Sequence, residues 1–203
     1  MGRDGDVDES KRATLRRFAA LGAASPLVRF SESESGSGSD ARDAIAGYLS
    51  TTPGAHFSKI RDDLQLGTGE TQHHLRELAE NGAIESEKDG DYRRFFPADQ
   101  FSEYEKVTLG YLRRDTTRGM LVALLRDPTT TAGNLADDLD VSRPTVSKYA
   151  AELEAAGLLS REDGYAVDAP ETVLTLVVRY ADSFDTDAAA LASEAADLLA
   201  YDP

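Results

Sequence analysis

The chain has no cysteine. That excludes disulfides, thiolate-ligated zinc and thiol redox sensing. No apolar run approaches the ~20 residues that span a membrane. Histidine is scarce, at positions 56, 73 and 74. Adjacent helical residues point in different directions, so His73 and His74 are not expected to chelate one metal without strain. His74 is expected to pack half-buried, like its repeat counterpart Tyr149. No serine, histidine and aspartate stand in a nucleophile motif. Gly67-Thr68-Gly69-Glu70-Thr71 lacks the Gly-Lys-Ser/Thr ending and the preceding strand of a phosphate loop. The expectation is a protein that is not an enzyme and uses no metal and no cofactor. Nothing in the sequence names an effector ligand.

What is present is a repeat. Residues 59–90 recur in plan at 134–164, 75 positions later. Ile60 matches Leu135, Asp62-Asp63-Leu64 matches Asp137-Asp138-Leu139, and Leu66 matches Val141. Glu77-Leu78 matches Glu152-Leu153, and Gly82 matches Gly157. Copy one carries a single extra residue before its last turn. A repeat of this length is one supersecondary unit used twice.

Each unit reads helix, turn, helix, hairpin. Phe57, Ile60 and Leu64 follow helical spacing. Leu66-Gly67-Thr68-Gly69 breaks it, and glycine suits a turn with unusual dihedrals. Thr71, Leu75 and Leu78 form the inward face of the next helix, and Gly82 sits where a helix C-terminal glycine belongs. Ala83 to Glu87 and Tyr92 to Phe96 flank Lys88-Asp89-Gly90-Asp91, a hairpin signal. In copy two Ser142 is an N-cap and Pro144 stands in the first turn. Val146, Ala150 and Leu153 face inward, and Leu158 to Arg161 and Tyr165 to Val167 form a shorter hairpin around Gly164.

The run from Val141 through Ser142-Arg143-Pro144-Thr145-Val146-Ser147-Lys148 to Gly164 resembles the recognition helix and wing of winged helix-turn-helix regulators. The pattern is shared by the MarR, ArsR and TrmB groups. Copy one resembles the same module in a more divergent form, and the resemblance spans residues 40–168. It implies a mainly α fold with small β-hairpin wings, built as two tandem winged helix-turn-helix modules plus C-terminal helices. It also implies a sequence-specific transcriptional regulator with double-stranded DNA as its partner. A recognition helix places its N-terminal residues on base edges of the major groove. The side not packed in the core is then Gly69, Glu70, Gln72, His73 and Arg76 in copy one. In copy two it is Ser142, Arg143, Pro144, Thr145, Ser147 and Lys148. Gln can pair with adenine, Lys with guanine, and Ser or Thr with base edges or phosphate. The wings offer Lys88, Arg93, Arg94 and Arg161 to phosphates or the minor groove. The competing reading is a pair of winged helices that dock protein, as in acidic chromosome-segregation partners of the ScpB family and in general transcription factors.

The charge is unusual for a DNA-binding chain. There are 22 Lys+Arg against 37 Asp+Glu, a net charge of −15, whereas a nucleic-acid-binding domain is ordinarily basic. Five residues are lysine and 22 are aspartate. This composition resembles that of haloarchaeal proteins in molar potassium. There, long-range repulsion is screened within ~3 Å, and counterion release adds little to affinity.

Residues 1–39 read as a basic helix and a flexible Ser/Gly/Glu linker. Lys11, Arg12, Arg16, Arg17 and Arg29 lie in a stretch without acids, with Leu15, Phe18 and Ala19 as an apolar face. Three readings stay open: a helix packed on the body, a dimer mate or DNA; a disordered arm or an upstream-annotated start; and a twin-arginine signal at Arg16-Arg17. Residues 40–100 are module one and 101–168 a connecting helix with module two. The connecting helix has Phe101, Tyr104, Val107, Tyr111 and Leu112 as its stripe. Met120, Leu121, Leu124 and Leu125 are expected in the second core. Residues 169–203 read as helices, first with Val173, Leu174, Leu176, Val177, Val178, Tyr180 and Phe184, then with Leu191, Ala195 and Leu198. They are expected to form a homodimer interface rather than only to cover module two. A cytoplasmic location follows from the DNA-binding reading.

Overall fold

The computed structural model describes residues 4–23 and 37–198. It divides into two compact units, residues 1–102 and 103–203.

In the first unit, helix α1 (Asp4–Ala23) packs along helix α2 (Ser37–Thr51). Leu15 is buried there, and the Phe18 ring meets Tyr48 edge-on at 5.3 Å. Helix α1 thus packs on the body of its own unit. The linker expected at 31–39 lies outside the described residues up to 36, and Ser37 to Ser39 already belong to α2. Strand β1 (Ala55–His56) leads into α3 (Phe57–Asp63) and α4 (Thr68–Glu80). Strands β2 (Ile84–Asp89) and β3 (Tyr92–Pro97) form the wing. The sheet order is β1-β3-β2, all antiparallel, so β3 runs in the middle. Ile45, Leu49, Ile60, Leu64, Leu75 and Leu78 join one core. Burial of each such side chain contributes about 1.5–3 kcal/mol.

The second unit repeats this plan behind an added helix. Helix α5 (Glu103–Leu112) precedes α6 (Asp115–Arg126), α7 (Ala132–Asp138) and α8 (Arg143–Ala155). Strands β4 (Leu159–Ser160) and β5 (Ala166–Val167) form the short wing. Helices α9 (Pro170–Arg179) and α10 (Thr186–Leu198) close the unit, joined through a 3-10 turn at Ala181–Ser183. Three expectations are corrected here. Val107 is exposed, and Lys106, Thr108 and Leu109 take the buried side of α5. Val122 rather than Leu125 joins the buried face of α6. Phe184 lies beyond the end of α9, and Val178 is exposed.

The apolar face of α9 is consumed inside its own unit. Val173, Leu176 and Val177 are buried while α9 packs on α5, and α10 packs on α6 and α9. Polar bonds fasten the same segment. The Arg113 guanidinium donates to Ser183 O at 2.8 Å, and buried Arg118 donates to Asp185 at 2.7 Å and to Leu112 O at 2.9 Å. The Tyr104 hydroxyl donates to Asp168 O at 2.6 Å, beside Ala169 in the left-handed conformation.

The repeat is visible in the backbone itself. His56 caps α3 by accepting from Lys59 N–H, and Thr131, 75 positions on, caps α7 by accepting from Asn134 N–H. The turn after α3 departs from expectation. Its left-handed residue is Gln65, with φ 54, whereas Gly67 has an extended conformation and Gly69 lies inside α4. The first helix of each module, α2 and α6, ends at the same register, Thr51 and Arg126.

Candidate nucleic-acid interface

Helix α4 starts weakly. Its N-cap is Gly67, which has no side chain to offer, so the Glu70 carboxylate alone closes the turn by accepting from Gly67 N–H at 3.2 Å. Thr71, His74, Leu75 and Leu78 are buried. The opposite face exposes Thr68, Gly69, Gln72, His73 and Arg76, with Glu70 half-buried. Thr68 was missed because the sequence places it in the turn. Lys11 of α1 was missed as well: its ammonium stands 3.6 Å from the Glu70 carboxylate, next to the start of α4. It offsets the acid at that end of the exposed face.

Helix α8 starts well. The Ser142 hydroxyl accepts from Thr145 N–H at 3.3 Å, and Pro144 occupies the first turn. Val146, Ala150 and Leu153 are buried. Ser142, Arg143, Pro144, Ser147 and Lys148 are exposed, while Thr145 is half-buried and bonded to the Ser142 hydroxyl at 2.8 Å. Lys148 pairs with Glu152 at 3.8 Å, yet its side chain is 67% exposed. An exposed pair of this kind contributes little and releases its cation easily.

The wings differ. Lys88 and Arg93 are exposed cross-strand partners in the β2–β3 ladder, two cations on one face of the wing. Arg94 is not a wing contact. It is buried, donates to Gly54 O at 3.0 Å and is ion-paired with Asp89. It lies on the middle strand, between His56 of β1 and Glu87 of β2. Arg161 on the second wing is partly exposed and donates through Nε to Glu154 at 2.8 Å, which holds the Glu154 carboxyl below its ordinary range.

His74 is packed, as expected, and both histidines approach Glu77. His73 Nε2 lies 4.0 Å and His74 Nδ1 3.3 Å from the same Glu77 oxygen. Potential ligand atoms of all three residues lie within 4.8 Å of one another. The two ring centroids are 5.1 Å apart, and Glu77 stands one turn on from both, where such residues are neighbours.

Two stretches of the chain match family models. Residues 39–109 match an N-terminal HTH domain. Residues 113–160 match a winged helix-turn-helix DNA-binding domain. The chain is a tandem winged helix-turn-helix regulator. No curated protein and no solved structure matches it. Neither match separates a MarR from an ArsR grouping. Among the described residues of the regulator, no helix is long and apolar enough to cross a membrane.

Proposed function

We propose that this regulator binds specific promoter sequences, with α4 and α8 each reading the major groove and the wings on phosphates. One observation carries the reading. Both helices expose a short polar face at the same register of the repeat, Gln72 and His73 in one and Ser147 and Lys148 in the other, opposite a fully packed face. Lys88 opposite Arg93 adds support. Like charges directly opposite on a ladder cost stability, and a phosphate between them removes that cost.

The regulator works in the cytoplasm at high salt and as a homodimer. The acid-rich, lysine-poor composition supports the first, because screening at molar salt lets a chain of net charge −15 approach DNA. The prevalence of two-fold oligomers supports the second.

Chromatin immunoprecipitation of the tagged protein in a high-salt host tests the reading. Sharp promoter peaks with a shared motif are expected, and half-sites about one helical turn apart would mark a two-fold dimer. Gln72→Ala and Lys148→Ala should each cost about 1–3 kcal/mol of specific binding and leave the fold intact. A well-expressed protein without peaks, co-purifying with a protein partner, would instead support the scaffold reading.

A further inference from the structure

We propose that helix α4 binds one divalent transition-metal ion of the Zn2+, Ni2+ or Co2+ type through His73, His74 and Glu77. The three donors meet on one side of a single helix, with their ligand atoms within 4.8 Å of one another. His74 is fixed in place: its side chain is 9% exposed and its Nδ1 is 3.3 Å from Glu77 Oε2. The two atoms are hydrogen-bonded as they stand, and an ion that replaces the shared proton can keep them in place, since metal–donor bonds of about 2.0–2.2 Å set their donors roughly 3.3–3.5 Å apart. His73 is 72% exposed and starts at 4.0 Å from the same oxygen, so a change of rotamer in an exposed ring completes the set.

The donor types select the ion. Two imidazoles and one carboxylate suit borderline ions such as zinc, and leave a position open. Imidazole discriminates against magnesium and calcium, which take oxygen ligands. This matters in a chain with 37 carboxylate side chains, where oxygen donors are plentiful and adjacent histidines occur only at 73 and 74. The other Glu77 oxygen, Oε1, lies 3.8 Å from the Arg42 guanidinium. Such an outer partner orients a ligating carboxylate.

Loading the site changes the exposed face of α4. The His73 ring turns toward Glu77 and stops sampling the positions it takes when free, and the face gains positive charge. Ion binding and DNA binding are therefore coupled, and the coupling is reciprocal. This consequence rests on α4 being a reading helix; the ion site itself does not.

The test is a Co2+ titration of the full chain in molar KCl, followed by visible absorption and calorimetry. One ion per chain with a histidine-bound spectrum is expected. His73→Ala and Glu77→Gln should each weaken binding by about tenfold or more, on the scale at which even outer-shell changes act. Glu80→Gln, an exposed acid on the next turn, should leave it unchanged. No stoichiometric uptake, or uptake that His73→Ala and Glu77→Gln both leave intact, overturns the site. His74 is spared because it is packed. A second arm measures affinity for a promoter fragment recovered from the chromatin experiment, with and without Zn2+. A change of at least about fivefold in the wild type, absent in His73→Ala, is expected. Ion uptake with unmoved DNA affinity overturns the coupling and supports the site. Failure to bind any specific fragment overturns the DNA reading, and the Co2+ titration still decides the ion site.

Discussion

Gln65 and Asp140 stand 75 positions apart and adopt the same left-handed backbone conformation, with φ of 54 and 50. Each closes the second helix of its module. Leu66 N–H reaches back to Arg61 O and Gln65 N–H to Asp62 O, the two bonds of a glycine-type helix stop, and Val141 and Asp140 repeat them on Ala136 and Asp137. At Gly82 and Gly157 the same stop carries glycine. A Cβ in this region costs roughly 1–2 kcal/mol, less for aspartate, whose short side chain bonds locally. Gln65→Gly is therefore expected to stabilise module one by roughly 0.5–1 kcal/mol after the added chain entropy of glycine. Asp140→Gly should change module two less. Urea midpoints at fixed KCl measure both, and a destabilised Gln65→Gly would show that the turn carries no strain.

Arg93 and Arg94 are neighbours in sequence with opposite fates. Arg94 is 3% exposed and holds Asp89 and Gly54 O inside the wing. Removing Arg94 leaves Gly54 O and the partly buried Asp89 carboxylate without this donor, which costs about 1–3 kcal/mol. Arg94→Ala should lower the denaturation midpoint of module one sharply and lose DNA binding only through unfolding. Arg93→Ala should leave the midpoint unchanged. It should instead weaken binding to all sequences alike and reduce the salt slope by about 1. Equal stabilities for the two variants would refute the distinction.

That pair also shows what the sequence could carry. The inward faces of α4 and α8 were legible because Leu75, Leu78, Val146 and Leu153 recur at helical spacing, and one apolar face fixes the exposed one. Arg94 was not legible. Its place on the middle strand depends on β1, a strand of only two residues, Ala55–His56, too short to show alternation. Helix α2 escaped because it opens on Ser-Gly-Ser, which reads as linker until the chain is packed against α1. The turn at Gln65 was masked by the glycines that follow it. A left-handed glutamine has no sequence signature, whereas Gly67 and Gly69 attract the assignment without needing it.

His56 links the start of α3 to pH. Its Nδ1 accepts from Lys59 N–H, which requires the neutral ring. Burial first, then the charges of Arg94 and Lys59, lower its pKa below the ordinary 6.5, and Asp62 and Asp63 oppose the shift. The unfolded chain therefore takes up a proton at higher pH than the folded one. The stabilisation is fully present above the ordinary histidine value and is lost as pH falls through it toward the lower folded value. His56→Thr copies the cap of the second module, Thr131, and should remove this limb. The stability of the variant should be flat across that window in thermal melts at fixed salt. A wild type that shows no loss there would refute the role of the ring.

Gly69 is a glycine that the fold does not require. It lies in the first turn of α4, and a Cβ built there meets nothing within 4 Å. Its φ is not in the left-handed range. Glycine inside a helix costs roughly 0.5–1 kcal/mol relative to alanine, so Gly69→Ala should stabilise module one by that amount. What glycine provides at an exposed helix start is close approach of the backbone to another molecule, and this is the end of α4 that would meet base edges. Gly69→Ala is thus expected to raise the denaturation midpoint and to weaken specific DNA binding at the same time. Pro144, 75 positions on and also the second residue of its helix, carries a ring where Gly69 has none, so this close approach would be particular to module one. A variant that is more stable and binds equally well would place the contact elsewhere on α4. A variant that is less stable would mean that the space beside Gly69 is filled in solution.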